Sequence, residues 1–309
     1  LYDAADFGIA GIPLTIYRKN GVNYDLLPLT ATTNATGNYT FTGVPYGEYR
    51  VVVTTTTLTT LSPVFDKDGT ADSKIELAFS STVAEQSNWH FGYNGKAGSS
   101  KSVTVKTRLD SNSNAAYDAT DAAQGATQVI IAGPFVSGMI TTNGSGDYNF
   151  PKLPYGDYTF TTQTIAGLAH VYDNDGAPFE KITSLAINGS SADPAFGYRA
   201  DISGGSFTIS GNVLFDVNGN AAYDVTDWGL SGVKLTLEKK VGAIFAPVAS
   251  FTAGTPTSGA YSFTGLNAGE YRITVDASTL SSGLIPAYGV DASHQKTKVI
   301  SGSETNWYL

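Results

Sequence analysis

Two twelve-residue stretches of this chain carry oxygen side chains at the same five places. Asp110, Asn112, Asn114, Asp118 and Asp121 in the first are matched by Asp216, Asn218, Asn220, Asp224 and Asp227 in the second. Oxygens at positions one, three, five, nine and twelve of a loop, with a backbone carbonyl at position seven (Ala116 or Ala222), form a shell for one hard cation. Ca2+ is the ion such a shell suits. Asn and Asp also favour turns that bind nothing, but identical spacing in two copies argues against that reading. Weaker acidic clusters occur at Asp66, Asp68 and Asp72 and at Asp173 and Asp175, with only Asp291 in the corresponding place later. They are candidate ligands of lower rank, since Asp-x-Asp-Gly turns need no metal. Asp3 and Asp6 stand as half of a third loop.

The elements that hold these loops repeat as well. Gly-x-Tyr-x-Phe recurs at Gly37, Gly146 and Gly259, and Gly-acid-Tyr follows each time, ending at Tyr49, Tyr158 and Tyr271. Each copy closes on an aromatic string around Phe91-Gly92-Tyr93, Phe196-Gly197-Tyr198 or Trp307-Tyr308. The expected domains are 1–93, 94–200 and 201–309, here called units one, two and three, each of an ordinary domain size. Runs such as Tyr49–Val53, Ser102–Lys106 and Val233–Leu237 are β-branched or aromatic and bounded by Gly, Asn or Pro. They read as strands, and no long helical period competes with them. The expected fold is all-β, three tandem antiparallel β-sandwiches. Unit one aligns with unit three only from the middle of its loop, so it is expected to lack a first strand and half a calcium loop. The chain reads as a mature or excised portion of something longer.

Composition narrows the function. Net charge is −9 with no cysteine. An acidic balance argues against nucleic acid or an anionic membrane as partner, and no apolar run is long enough to span a bilayer. A secreted chain without disulfides needs another source of rigidity; at 100 times its Kd a bound ion adds roughly 2.7 kcal/mol per site. No nucleophile elbow, phosphate loop or zinc helix is present, so the chain is read as no enzyme. His90, His170 and His294 lack metal-ligand spacing. A Lys–Asn staple finds no Lys on the first strand of unit three and Pro194 near the equivalent of Asn88. Sequons at Asn34, Asn38, Asn143 and Asn188 mark exposed turns.

Taken in order, these motifs resemble the B-type repeats of serine-aspartate-repeat surface proteins, the SdrD B-like domains. Unit three carries the likeness best, in the stretches 209–237 and 257–275, and unit one adds 64–77 and His90–Tyr93. The resemblance implies an Ig-like or prealbumin-like sandwich, extracellular, calcium-binding, strung into stalks or filaments. It assigns the ligand set to the five oxygen residues of each loop. Ala115 and Ala221 stand where the family often has Gly, and Asp121 and Asp227 where it often has Glu, which points to micromolar to sub-millimolar affinity.

The ion is expected at the edge of each complete unit near the junction with its predecessor. There it would lock Gly/Ser linkers (Gly95, Gly98, Gly204, Gly205) that otherwise flex. The reading is a calcium-stiffened stalk or filament subunit, with copies of itself or neighbouring repeats as partners. The alternative is an adhesin for a protein or glycan, with 133–139 as the contact surface. Separately, Asp3 and Asp6 are either remnants of a truncated loop or part of a site that another subunit completes.

Overall fold

Short runs of alternating apolar and polar residues bury one face of each strand, and the chain pairs them into sheets throughout. The computed structural model describes residues 6–79, 87, 89–252 and 258–309. Unit one contains β1 (Pro13–Asn20), β2 (Asn23–Thr32), β3 (Gly47–Val53), β4 (Leu61–Asp66), β5 (Lys74–Phe79) and β6 (Phe91–Gly95). One sheet runs β2-β1-β3-β5, and β4 pairs with β6.

Unit two contains β7 (Ser100–Leu109), β8 (Ala122–Ala123), β9 (Gln128–Ala132), β10 (Ser137–Thr141), β11 (Asp147–Pro154), β12 (Gly156–Thr162), β13 (Leu168–Tyr172), β14 (Lys181–Ile187) and β15 (Ala195–Ala200). Its sheets are β10-β9-β12-β14 and β11-β7-β15-β13. Unit three adds β16 (Phe207–Asn212), β17 (Leu214–Phe215), β18 (Trp228–Gly229), β19 (Lys234–Val241), β20 (Ile244–Thr252), β21 (Ala260–Leu266), β22 (Gly269–Val275) and β23 (Gln295–Ile300). There the main sheet is β20-β19-β22-β23, and β16 pairs with β21. Among the described residues every ladder joins strands of one unit.

The chain is all-β, and its sheets are antiparallel apart from the closing strands. β15 runs parallel to β7, and a parallel bridge joins Ile209 to Glu304 in unit three. Side chains from both sheets meet in one core: in unit two Val103, Val105 and Phe196 face Val129, Ile131 and Phe160, all fully buried. Burying such side chains contributes roughly 1.5–3 kcal/mol each.

The Gly-acid-Tyr motif has a structural reason. Tyr49, Tyr158 and Tyr271 are fully buried, and each hydroxyl donates to the carbonyl four residues back, on Pro45, Pro154 and Asn267. The Phe-Gly-Tyr closing string has another. A Cβ on Gly92 or Gly197 would lie 2.0 Å from the ring of Phe65 or Tyr172, so the glycine makes room for a ring laid flat on the backbone. In unit one Tyr39 and Phe41 belong to no ladder, while their counterparts in β11 and β21 pair with β7 and β16.

The linkers differ from expectation. Ser99 N–H donates to Lys96 C=O, Lys96 N–H to Thr60 C=O and Tyr155 N–H to Ser99 C=O. Lys239 Nζ donates to Asp201 C=O at 3.2 Å, and Gly205 N–H to Ile202 C=O. These glycines sit in fastened turns, not in a slack tether. The stretch 133–139 is engaged in part: Phe135 packs on the core of unit one and Phe7 lies against Gly138, its ring 6.1 Å from that of Phe150, while Pro134, Ser137 and Met139 are exposed. No helix among the described residues is long and apolar enough to cross a membrane.

Candidate metal centres

Strand β7 carries the chain away from the linker that precedes it. Ten extended residues span about 33 Å, so loop 110–121 lies at the far end of unit two. It meets the successor instead of the predecessor: a cavity of about 290 Å³ is lined by Leu109, Ser111 and Ala122 on one side and by Glu238, Phe245 and Arg272 on the other. The expectation of an ion beside the preceding junction is therefore corrected. The parallel closing strand reaches the same end, where Asp110 N–H donates to Tyr198 C=O.

The loop is wound by its own polar groups. Asp110 is fully buried and accepts from Asn114 N–H, Ala115 N–H and the Arg199 guanidinium, the last at 2.9 Å from Nε. Asp118 accepts from Asn112 Nδ2 at 2.6 Å, Asn114 Nδ2 at 2.8 Å and Thr120 N–H at 2.7 Å. The Thr120 hydroxyl leads these donors in pulling the Asp118 pKa down to about 2. Asp121 accepts from Ser111 N–H and, at 2.8 Å, from the Tyr172 hydroxyl. Burial pushes its pKa up, and those hydrogen bonds oppose the shift.

Loop 216–227 repeats the winding. Asp216 accepts from Gly219 N–H and Ala221 N–H, Asn218 and Asn220 donate to Asp224, and the Tyr288 hydroxyl donates to Asp227 at 2.8 Å. The Thr226 hydroxyl lowers the Asp224 pKa. Ala115 and Ala221 sit at φ of 56° and 57°, a left-handed conformation that costs a non-glycine residue roughly 1–2 kcal/mol. That cost explains why glycine suits the position.

The donor set in both loops is all oxygen, the chemistry of a hard cation. Each asparagine Oδ1 accepts a backbone N–H, as in Asn114 N–H to Asn112 at 3.1 Å and Ala116 N–H to Asn114 at 2.9 Å. A second lone pair on each oxygen remains for an ion. No ion pair reaches Asp216, Asp224 or Asp227 among the described residues, so that loop holds three carboxylates with no cation of its own. The oxygen chemistry of that loop suits a hard cation such as Ca2+, and in loop 110–121 Arg199 already neutralises Asp110. Among the described residues no three His, Asp or Glu side chains already converge on one point. The carboxylates face backbone N–H groups and amides instead.

The lower-ranked acids divide. Asp66 is buried, with Oδ1 lacking any hydrogen-bond partner, and burial raises its pKa. Asp68 accepts from Thr70 N–H and Asp72 from Lys74 N–H. Asp173 also has an orphaned buried oxygen, Oδ2, and burial pushes its pKa up to about 6, while Asp175 N–H donates to its Oδ1. Orphaned buried carboxylate oxygens at equivalent turns are costly unless a proton or cation reaches them. Asp291 only closes its own turn, accepting from Ser293 and Gln295 N–H. Asp6 is exposed, and Asp3 and Asn88 lie outside the described residues.

Three residues of these centres escape a reading by spacing: Arg199, Tyr172 and Tyr288. A signal for the tyrosines exists in the aromatic that precedes each later acidic turn, Tyr172 before Asp173 and Tyr288 before Asp291; unit one has Phe65, which lacks the hydroxyl.

A family profile described as the SdrD B-like domain matches residues 1–98 and 207–299. Serine-aspartate repeat-containing protein F of Staphylococcus epidermidis is 26% identical over 287 residues, which cover 88% of this chain and 16% of that protein. Serine-aspartate repeat-containing protein E of Staphylococcus aureus (strain Newman) is 29% identical over 140 residues, 45% of this chain and 12% of that protein. The chain thus spans a small part of each relative's length. Among solved structures, a streptococcal ancillary pilin matches 96% of this chain and 92% of its own at 11% identity, with a TM-score of 0.27.

Proposed function

This chain belongs to the SdrD B-like domain family, and from that premise we propose that it is a calcium-stiffened structural segment of a microbial cell surface, a stalk or filament element outside the cell. What carries the reading is the position of loop 110–121, whose flanks Leu109, Ser111 and Ala122 bear on the sheet of unit three across one cavity. Bound Ca2+ would be held by Asp110, Asn112, Asn114, Asp118, Asp121 and the Ala116 carbonyl, and by their counterparts Asp216, Asn218, Asn220, Asp224, Asp227 and Ala222, and would neutralise carboxylates that otherwise repel.

The chain's own groups prepare the loops. Tyr172 and Tyr288 orient the closing carboxylates through 2.8 Å hydrogen bonds, and the asparagine amides hold Asp118 and Asp224 inward. Fixing loop 110–121 fixes the end of β7, and with it the wall that unit three rests on. In the adhesin alternative the candidate surface 133–139 is partly engaged, with Phe135 and Gly138 against unit one, while Pro134, Ser137 and Met139 stay exposed.

Small-angle scattering in calcium and then in EDTA tests the proposal. A rod in calcium that becomes shorter on average and broader in its distance distribution after chelation is the expected outcome. Identical curves would rule out stiffening by calcium.

A further inference from the structure

Hairpin tips ordinarily carry Gly, Asn or Asp, which turn tightly and face water at no cost. The tip between β1 and β2 follows that rule with Asn20-Gly21-Val22-Asn23, whereas the tip between β9 and β10 reads Gly133-Pro134-Phe135-Val136. A phenylalanine there gains from its large apolar area only if a neighbour covers it. Unit one supplies the cover. Phe135 packs against the core of unit one, and the next residue, Val136, packs against the core of unit two. The tip is held in place from below, by unit two alone. Gly133 N–H donates to Val136 C=O at 2.9 Å. A Cβ on Gly133 would lie 2.1 Å from the Tyr158 ring, and one on Gly156 would lie 2.7 Å from Pro134 Cγ.

The contact is returned in the other direction. Phe7 of unit one packs against the core of unit two, its ring 6.1 Å from that of Phe150, while Ile9, two residues on, packs against the core of unit one. A Cβ on Gly138 would lie 2.7 Å from the Phe7 ring, so a glycine on β10 opens the slot that the ring fills. The junction of units two and three repeats the tip contact with a smaller side chain. Val241, at the tip between β19 and β20, comes so close to unit two that a Cβ on Gly167 would lie 2.9 Å from its Cγ1.

We infer that units one and two trade phenylalanines and thereby form one rigid body without calcium: Phe135 completes the core of unit one, and Phe7 that of unit two. The driving force is removal of apolar surface from water, which depends on no bound cation. The exchange also makes the stability of unit one depend on a residue that belongs to unit two. The inference stands apart from the calcium reading of loops 110–121 and 216–227.

Hydrogen exchange and spin-label distances on the whole chain test it. Phe135→Ser lies in unit two, yet it should speed amide exchange in β1 and β3 of unit one by at least about tenfold, the scale of one lost buried ring. Phe135→Leu, the milder change, should speed it less in the same strands. Met139→Ser, 53% exposed on the same hairpin, should leave unit one unchanged. The chain has no cysteine, so labels can be placed at Val22→Cys and Ser190→Cys, both exposed. Their distance distribution should be equally narrow in calcium and in EDTA, and should broaden in Phe135→Ser. Exchange in unit one that ignores Phe135→Ser, or labels on the otherwise wild-type chain whose distances broaden in EDTA, would overturn the inference. Distances between units two and three that ignore calcium would sink only the calcium reading.

Discussion

The two loops share a pattern of residues yet sit in different electrostatic settings. Loop 110–121 starts on a fully buried Asp110 that a guanidinium from the closing strand neutralises. Loop 216–227 starts on a half-buried Asp216, with no ion pair to its carboxylates among the described residues. One loop has an internal counter-ion, and the other has none among the described residues. Identical ligand spacing therefore does not imply identical calcium dependence: loop 216–227 should bind tighter and respond more to chelation.

The sharpest break in this comparison is at the first acid. Asp110→Ala strands Arg199 and two backbone N–H groups in a buried site, and should cost about 3–5 kcal/mol in EDTA. Asp216→Ala should cost only about 1 kcal/mol under the same conditions. Urea unfolding of the two variants measures both, and equal losses would remove the distinction. Arg199→Gln comes next, at about 1–3 kcal/mol in EDTA, with calcium restoring part of the loss and binding more tightly to loop 110–121 than before. A smaller difference is expected from the closing tyrosines. Tyr172→Phe should cost about 1–2 kcal/mol and Tyr288→Phe less, since the hydrogen bond to Asp121 is buried and that to Asp227 is partly exposed.

Acid should act on one side only. His170 packs on Tyr198 with ring centroids 4.5 Å apart and hydrogen-bonds the Thr162 hydroxyl at 2.7 Å, and burial lowers its pKa. A histidine whose folded pKa lies below its unfolded value of ~6.5 contributes full stability above that pH. The contribution declines as pH falls through the window beneath it. Unit two should thus loosen at mildly acidic pH around Tyr198, whose carbonyl holds Asp110 N–H. His170→Gln should flatten the pH profile of unfolding, and an unchanged profile would exclude this source.

Much of this was legible in short-range pattern. The oxygen spacing named ten loop ligand candidates, and Gly-acid-Tyr marked the three buried tyrosines whose hydroxyls bond four residues back. Alternating β-branched runs announced the strands. What spacing could not reveal came from pairing across long separations. Arg199 reaches Asp110 over 89 residues because β15 runs parallel to β7, a register no local motif encodes. The same topology sends the loop to the successor's end of the unit, against expectation. Glycine-rich linkers read as flexible, yet backbone hydrogen bonds close them, since composition reports freedom in the unfolded chain and not partners in the fold.

Calorimetric titration of calcium into the EDTA-stripped chain tests the central claim most directly. The account predicts saturable binding in which Asp224→Asn abolishes the tighter phase and Asp118→Asn the weaker one. Absence of saturable binding at millimolar calcium, or binding that survives both substitutions together, would contradict it.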